Sequence, residues 1–348
     1  MIALALLAAA TAVAVRVVSL APALTEDLFA IGAGPAVVGV DAFSNRPPAA
    51  LRLPRVGSMR TVSSEAVAAL NPDLVVGIAY QAPTLRDLGR LGVATQTFEL
   101  ETLADDFATI AGLGRATGHG REATRLLAAI RRRLDTVRRA TRTLPAPRAL
   151  AFVGMGVAPF YTAGRGSYIH DLFAVAHIRN VVGDLQAAFP ALSDETIEAS
   201  DPDVLIVPRG AVIPNGPPWS RLRAVRLGHI VALDEDDYLR PGPRVADVVE
   251  ALVRGIAPYR SEAVRGGRAK AYSAPSGSRR TAIGMPYTRA KSASSKTAAG
   301  GPQATSVRAP SSAIRSAKAA ATLRSCSTTT ADLPVATSRR TRPSVSNV

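Results

Sequence analysis

The residue types that most often carry catalysis or bind metals are few and scattered in this chain. Its four histidines have no metal-ligand spacing with one another or with cysteine; they are His119, His170, His177 and His229. The sequence contains neither a Gly-x-Ser-x-Gly nucleophile elbow nor a P-loop. The acidic run at residues 234–237, Asp-Glu-Asp-Asp, has the ligand chemistry for a divalent cation, but such runs are more often solvated loops. We therefore expect no enzyme, no catalytic residues and no resident metal.

Two twelve-residue stretches share one pattern, in which glutamate comes first and Asn/Asp-Pro-Asp precedes three apolar residues. They occupy residues 65–76 and 195–206, which places Glu65 and Glu195 130 positions apart. Proline disfavours the helical region in the residue before it, and a run of Val, Leu and Ile suits a strand covered on both faces. Each copy therefore predicts a short helix followed by a buried strand. A repeat at domain-sized spacing indicates two similar lobes.

The elements around the first copy alternate between strand and helix. Apolar runs predict strands that start at residue 16 and at residues 37–40 and 93–98, and helical spacing predicts helices after Pro22 and at residues 84–91. Strands that alternate with helices in this way are typical of a parallel α/β sheet. We predict an N-terminal α/β lobe over residues 15–118.

A long helix is predicted over residues 120–143, where no proline and no internal glycine interrupts the pattern. Its apolar stripe consists of Leu126, Leu127, Ile130, Leu134 and Val137. At 1.5 Å per residue such a helix is about 36 Å long, enough to cross a small domain. Because it lies between the two copies of the repeat, we predict that residues 119–144 connect the lobes. We interpret the arginines on its other side as a solvated face rather than a nucleic-acid surface.

The second lobe is predicted over residues 145–258, from a strand at residues 149–153 to a helix at residues 245–256. Two of its loops, residues 154–164 and 234–244, are dense in glycine, proline and aromatic residues. Loops of this kind on an α/β scaffold tend to carry function.

The net charge of +15 is unevenly distributed over the 348 residues. Sixteen Lys and Arg residues and two acidic residues lie from residue 260 onward, which leaves the first 259 residues at +1. Residues 259–348 are rich in Ser, Ala, Thr, Arg and Gly and show no periodicity, so we predict a disordered basic tail and interpret it as a non-functional extension. The folded part has no charge-based reason to bind nucleic acid. Binding of nucleic acid or an anionic surface through the tail is the alternative function from another class.

The first 14 residues form an uncharged run of Ala, Leu, Ile and Val. A transmembrane helix takes about 20 apolar residues, so this run is too short to cross a bilayer. The run contains small-x-small cleavage sites at residues 10–14, although it lacks the usual basic residue at its front. We predict a signal peptide over residues 1–14 and therefore a periplasmic location. The single cysteine, Cys326, lies in the predicted tail, which excludes an intrachain disulfide.

Residues 16–257 resemble the periplasmic solute-binding proteins of cobalamin, siderophore and haem importers. The resemblance rests on both copies of the repeat and on four shorter motifs: Arg16-Val-Val-Ser-Leu, Pro47-Pro48 after the Val38-Gly-Val40 strand, Leu53-Pro-Arg-Val-Gly57 and Pro243-Arg244. It implies two Rossmann-like α/β lobes with parallel sheets, joined by one long helix, with a ligand cleft between them. It also implies a monomer that delivers its ligand to the permease of an ABC importer.

The resemblance assigns a role to the first residue of each repeat copy. In this family a glutamate at the top of each lobe docks onto arginines of the transporter, and Glu65 and Glu195 occupy those positions. Two exposed carboxylates on a rigid pair of lobes would fix the docking orientation. The alternative is that both are ordinary first-turn residues, which the helix dipole favours.

The ligand residues are also implied by the resemblance, which among family members is greatest to the cobalamin binders. The expected cleft residues are the aromatic and flexible side chains Phe43, Met59, Tyr161, Phe189 and Tyr238, although Met59 and Asp237 replace expected tryptophans. Arg240 and Arg244, with Arg60, are candidates for binding an anionic ferric siderophore. Haem binders carry an iron-ligating tyrosine where this chain has Ser58. The order of ligands is therefore cobalamin or another corrinoid, then siderophore, then haem, with the corrinoid as transported ligand and no resident cofactor.

Overall fold

The computed structural model describes residues 16–154 and 159–261. The predicted signal peptide and most of the predicted tail, residues 262–348, lie outside the described residues, as do residues 155–158 of the first glycine-rich loop.

The N-terminal lobe is a four-stranded parallel sheet with helices in its connections. The strand order is β2-β1-β3-β4, and every neighbouring pair is parallel. In chain order its elements are β1 (Val17–Ser19), α1 (Pro22–Ala30), β2 (Val37–Val40), α2 (Ser64–Ala69), β3 (Leu74–Ile78), α3 (Ala82–Arg90) and β4 (Thr95–Phe98).

Two helices, α4 (Leu103–Ala116) and α5 (Gly120–Thr141), follow β4 and lead to the second lobe. That lobe has its own four-stranded parallel sheet, of order β10-β9-β5-β7, and a small antiparallel pair, β6-β8. Its elements are β5 (Arg148–Ala151), β6 (Phe160–Tyr161), α6 (Tyr168–Val175), β7 (Arg179–Asn180), β8 (Ala191–Leu192), α7 (Asp194–Ser200), β9 (Val204–Pro208), α8 (Arg223–Arg226), β10 (Ile230–Leu233), α9 (Glu235–Tyr238) and α10 (Val245–Ile256). The predicted fold class, two α/β lobes with parallel sheets, is confirmed.

The two copies of the repeat fold in the same way, as α2-β3 and α7-β9. Ser63 and Ser193 cap the two helices by accepting a hydrogen bond from the backbone amide three residues later. Each helix is followed by a residue with positive φ, Asn71 and Asp201, immediately before the proline of the copy. Asparagine and aspartate tolerate this conformation better than other residues with side chains, which explains their place in the pattern.

The repeat continues beyond its sequence pattern into matched contacts with the first strand of each lobe. Asp73 accepts a hydrogen bond from the Arg16 backbone amide at 2.9 Å, and Asp203 accepts one from the Arg148 amide at 2.8 Å. Both arginine side chains donate to carbonyls at the end of the repeat helix, at residues 70–71 and 200–201. Sequence comparison alone did not reveal this second layer of the repeat.

One continuous hydrophobic core runs through both lobes. It joins strand residues such as Val17 and Val76 to Ile110 of α4, to the stripe of α5 and to strand residues of the second sheet such as Val204. Four of the five predicted stripe residues of α5 are buried, and the fifth, Leu126, is partly buried against the same core. The lobes are therefore packed on a shared interior rather than joined by a bare linker.

The folded part extends past the boundary at residue 258 that the sequence predicts. Arg260 is buried and donates to the carbonyl oxygens of Pro145, Ala176 and His177 at 2.7–3.3 Å. These carbonyls accept from both terminal guanidinium nitrogens, so a charged residue that composition assigns to the tail belongs to the second lobe. Among the described residues, no helix combines the length and the apolarity needed to cross a membrane.

Candidate functional site

The loop after β2 presents Phe43 to solvent on a firmly held turn. Asp41 is buried and accepts hydrogen bonds from the Ser44 hydroxyl and from the Phe43 amide, the latter at 2.9 Å. Ser44 in turn lies 2.8 Å from the hydroxyl of Thr25, which donates to Ser19 at 2.8 Å. This chain of buried hydroxyls anchors the backbone of the loop. The Phe43 side chain on it is 62% exposed.

The turn at residues 57–62 exposes one of its two candidate ligand residues, Arg60, and buries the other, Met59. Ser58 is engaged with Thr61, both between their backbones and through their hydroxyls at 2.8 Å. Met59 is only 8% exposed and packs into the core, so it offers little surface to a ligand. Arg60 is exposed on the same turn.

Two of the predicted aromatic residues of the second lobe are half-buried near the β6-β8 pair. Tyr161 lies on β6, and Phe189 packs edge-on against Tyr168 with ring centroids 6.3 Å apart. Both keep part of their surface exposed. They therefore remain candidates for contact with a flat ligand.

Tyr238 is a core residue, which contradicts its predicted place in the cleft. The loop at residues 234–244 contains the short helix α9, and this turn directs the Tyr238 ring into the interior, where it is fully buried. Within the described part of the chain its hydroxyl has no hydrogen-bond partner. Burial raises the pKa of this phenol well above its ordinary value.

The two arginines proposed for an anionic ligand are already paired with carboxylates of the protein. Arg244 holds Glu26 of α1 in a bidentate pair, from Nε to Oε2 at 2.7 Å and from Nη2 to Oε1 at 3.0 Å. Arg240 donates to the same Oε1 at 3.0 Å. Glu26 is only 6% exposed, so these are contacts between the lobes and not an open anion site. Both arginines are therefore engaged by a carboxylate of the protein, and their contact with a ligand stays a prediction.

The acidic run at residues 234–237 faces the loop that holds Phe43. Arg46 lies 2.5 Å from Asp237 and 3.2 Å from Asp234, and Asn45 donates to Asp236 at 2.7 Å. The run thus binds cationic and amide groups of the other lobe. In the described ranges no group of three or more metal-ligand side chains comes together.

A pair of buried carboxyls, Asp27 of α1 and Asp106 of α4, lies next to this contact and was missed by sequence reasoning. Burial is the main cause that raises both pKa values, that of Asp106 to about 7, and the Asp106 charge further raises that of Asp27. The backbone amide of Gly242 partly lowers the raised pKa of Asp106. Neither carboxylate oxygen of Asp106 has a hydrogen-bond partner of ordinary geometry among the described residues. The available signal in the sequence was Asp27, an aspartate among apolar residues of the helix predicted after Pro22.

Glu65 and Glu195 have the same exposed setting on the two lobes. Each is the second residue of its helix, after the serine cap, and each accepts a hydrogen bond from that serine and from its own backbone amide. These hydrogen bonds lower both carboxyl pKa values, so the two groups stay charged. The matched geometry gives the molecule two fixed surface anions.

A groove of about 620 Å³ lies between α5 and α10. Its walls come from these two helices, with Val137 and Val253 among the apolar side chains and Arg132 and Arg254 among the charged ones. The loops that carry Phe43, Tyr161 and Phe189 belong to other elements. This groove is therefore separate from the candidate cleft.

Two α/β lobes on a shared core, with anchored loops facing each other between them, define the class of two-lobed binding proteins. The chain belongs to the periplasmic binding protein family, whose family model matches residues 17–236.

Named relatives agree with this membership. A vitamin B12-binding protein of Vibrio cholerae is 30% identical over 68% of this chain and 87% of its own length. An uncharacterized ABC transporter substrate-binding lipoprotein of Bacillus subtilis is 27% identical over 70% of this chain and 80% of its own. The structure of a periplasmic heme-binding protein from Roseiflexus superposes with a TM-score of 0.61 at 29% identity, covering 69% of this chain and 98% of the other.

The family membership settles the general function. The chain is a substrate-binding component of the ABC importer type and not an enzyme, which confirms the sequence-based expectation. Its partners are a small-molecule ligand and a permease, and its location is extracytoplasmic.

Proposed function

We propose that the protein binds cobalamin or a related corrinoid in the cleft between its lobes and delivers it to an importer permease. The observation that carries the proposal is Phe43, an exposed aromatic ring on a loop that a buried hydroxyl network anchors and whose residues Asn45 and Arg46 contact the second lobe. Tyr161 and Phe189 supply partly exposed rings on the other lobe. Flat apolar rings suit a large planar ligand. The corrinoid is cargo, and the proposal assigns no resident cofactor.

The competing ligands are less well supported by the same loops. A ferric siderophore needs several free cationic groups, whereas Arg240 and Arg244 are paired with Glu26, which leaves Arg60 as the exposed candidate. Haem would need an iron ligand at Ser58, whose hydroxyl is occupied by Thr61 and is a poor substitute for a phenolate. The relatedness to both vitamin B12-binding and heme-binding proteins makes a direct comparison of ligands the decisive experiment.

The experiment is titration calorimetry of the full chain with cyanocobalamin, haemin and a panel of ferric siderophores, at high salt to suppress association with the basic tail. We expect saturable one-to-one binding of cyanocobalamin. Replacing Phe43 by alanine should weaken it by about tenfold or more, because a central aromatic contact is lost. The matched control is Leu91→Ala, which removes another exposed apolar side chain at the end of α3. No heat change with cyanocobalamin at micromolar concentration would reject the corrinoid.

We also propose that Glu65 and Glu195 dock onto basic residues of the permease, one from each lobe. Their identical capped settings, lowered pKa values and exposure support this role. Two further proposals complete the assignment: residues 1–14 direct export, and the mature protein acts as a monomer. Mass spectrometry of the exported protein and light scattering after size exclusion test these two.

A further inference from the structure

The segment between α9 and α10 crosses from the second lobe onto helix α1 of the first. It reads Arg240-Pro-Gly-Pro-Arg244, and its two arginines close around the single carboxylate of Glu26. Charge-assisted and bidentate contacts of this kind are the strongest hydrogen bonds between side chains. Glu26 is nearly inaccessible to water, which further strengthens them.

The centre of the segment also lies against α1. Gly242 has φ of +144°, in a region that residues with side chains rarely adopt. A Cβ at this position would lie 3.6 Å from the Oδ1 atom of Asp27. The prolines on either side restrict the backbone, so the segment lies on α1 as a preformed arch. We call residues 240–244 the arch.

A second set of contacts ties the arch to the loop that holds Phe43. Arg240 donates to Asn45 at 2.8 Å and lies 2.5 Å from Asp236. Arg46, next to Asn45, pairs with Asp237, which also contacts Arg244. The Phe43 loop is therefore held from both sides, by the hydroxyl network of its own lobe and by the arch of the other.

We infer that Glu26 is a positioning residue for ligand binding: by holding the arch on α1 it fixes the spacing between the Phe43 loop and the second lobe. The identity of the ligand in this inference rests on the proposed function. The effect of Glu26 on the spacing of the lobes does not. Removing the charge of Glu26 leaves Arg240 and Arg244 paired only with Asp236 and Asp237 of their own lobe. Their ionic contact with α1 is then lost, which favours separation of the arch from that helix. Glu26 itself touches no ligand.

The experiment measures the lobe spacing directly. Spin labels are placed on Arg86→Cys of α3 and Arg226→Cys of α8, both exposed, in the full chain with Cys326→Ser. Pulsed electron resonance should give one narrow distance distribution for the parent. We expect Glu26→Gln to shift or broaden it, and to weaken cyanocobalamin binding by about tenfold or more in the unlabelled chain. The matched control, Glu122→Gln, removes an exposed carboxylate paired with Arg125 and should change neither quantity.

Conservative replacement separates positioning from folding. Arg244→Lys keeps the charge but loses the bidentate geometry, so its distribution should lie between those of the parent and Glu26→Gln. Should Glu26→Gln fail to fold, this milder variant carries the test. A parental distance distribution in the folded variants would overturn the inference. If the parent binds no cyanocobalamin yet the distances change as expected, the proposed ligand is rejected while the positioning role stands.

Discussion

Asp106 is the residue whose environment most clearly makes stability depend on pH. Its folded-state pKa is about 7, against 3.8 for the free group. Well below pH 3.8 the carboxyl is neutral in both states, and as the pH rises through that value the unfolded chain ionises while the folded chain keeps its proton. Stability therefore falls as the pH rises from about 4 to about 7, by up to about 4 kcal/mol at 1.36 kcal/mol per unit. Asp27, with its pKa also raised, acts in the same direction.

The prediction is that Asp106→Asn stabilises the protein at pH 8 and has a much smaller effect at pH 5. We expect a gain of about 1–3 kcal/mol at pH 8, less than the full shift because the buried amide needs partners of its own. Urea unfolding at both pH values measures it. Asp135→Asn, at an exposed ion pair of α5, should show no such pH difference. Equal effects of Asp106→Asn at the two pH values would contradict the assignment.

Tyr238 allows a second test at the residue scale, between a core and a cleft position. Its buried hydroxyl is unpartnered among the described residues, and such a group costs about 1–3 kcal/mol. Tyr238→Phe should therefore preserve or raise the free energy of unfolding and leave cyanocobalamin affinity unchanged. By contrast, Tyr168→Phe removes a 2.9 Å hydrogen bond to the Tyr238 carbonyl and should cost about 1 kcal/mol. A large affinity loss in Tyr238→Phe would restore this residue to the ligand site.

At the scale of elements, the local sequence pattern is sufficient to predict a helix or strand wherever a segment determines its own structure. The helix predicted at residues 245–256 is α10, and both copies of the repeat form the expected helix and strand. The Asp234–Arg244 stretch was predicted as a loop from its glycine and proline content, which carries no information on burial. Its helical turn α9 is capped locally by Asp234, whereas the burial of Tyr238 depends on packing against distant elements.

The candidate site was less predictable for the same physical reason. Glu26 and Arg244 are 218 positions apart, and Arg46 and Asp237 are 191 apart, so no spacing in the sequence connects them. An arginine in a loop looks equally suited to a ligand or to a partner carboxylate until the fold brings one of them near. Phe43 needs no such partner to be exposed, and its contact with a ligand stays a prediction.

The matched arginines at the start of each lobe give a prediction for the repeat element. Arg148 donates to the carbonyls of Ser200 and Asp201 at 2.7 and 2.8 Å, which closes the end of α7 onto β5. Arg148→Ala should lower the free energy of unfolding by about 1.5–3 kcal/mol, since hydrogen bonds from a charged group are lost. Arg179→Ala, at an exposed position on β7, is the control and should change it by less than about 0.5 kcal/mol. Urea unfolding of both variants decides whether the second layer of the repeat stabilises the lobe.

At the scale of the whole molecule, the shared core makes the two lobes a common frame for Glu65 and Glu195. The hydrophobic core passes from the first sheet through α4 and α5 into the second, and the arch adds ionic contacts between the lobes. A frame of this kind keeps the two carboxylates at a defined separation. In the proposed docking, two anions at a fixed separation would restrict the orientation on a basic partner surface, and opposite charges would raise the rate of encounter.

The consequence is that docking and ligand binding should be separable. The double variant Glu65→Ala/Glu195→Ala should bind cyanocobalamin as the parent does, because both residues are exposed on helices outside the candidate cleft. It should no longer stimulate ATP hydrolysis by its importer in proteoliposomes, and each single variant should retain part of the stimulation, since one lobe can still engage. Stimulation by the parent should weaken with rising salt as the charges are screened. Asp87→Ala/Asp135→Ala removes one exposed carboxylate from each of two other helices and should leave stimulation intact. Parental stimulation by the Glu65/Glu195 double variant would show that the permease recognises another surface.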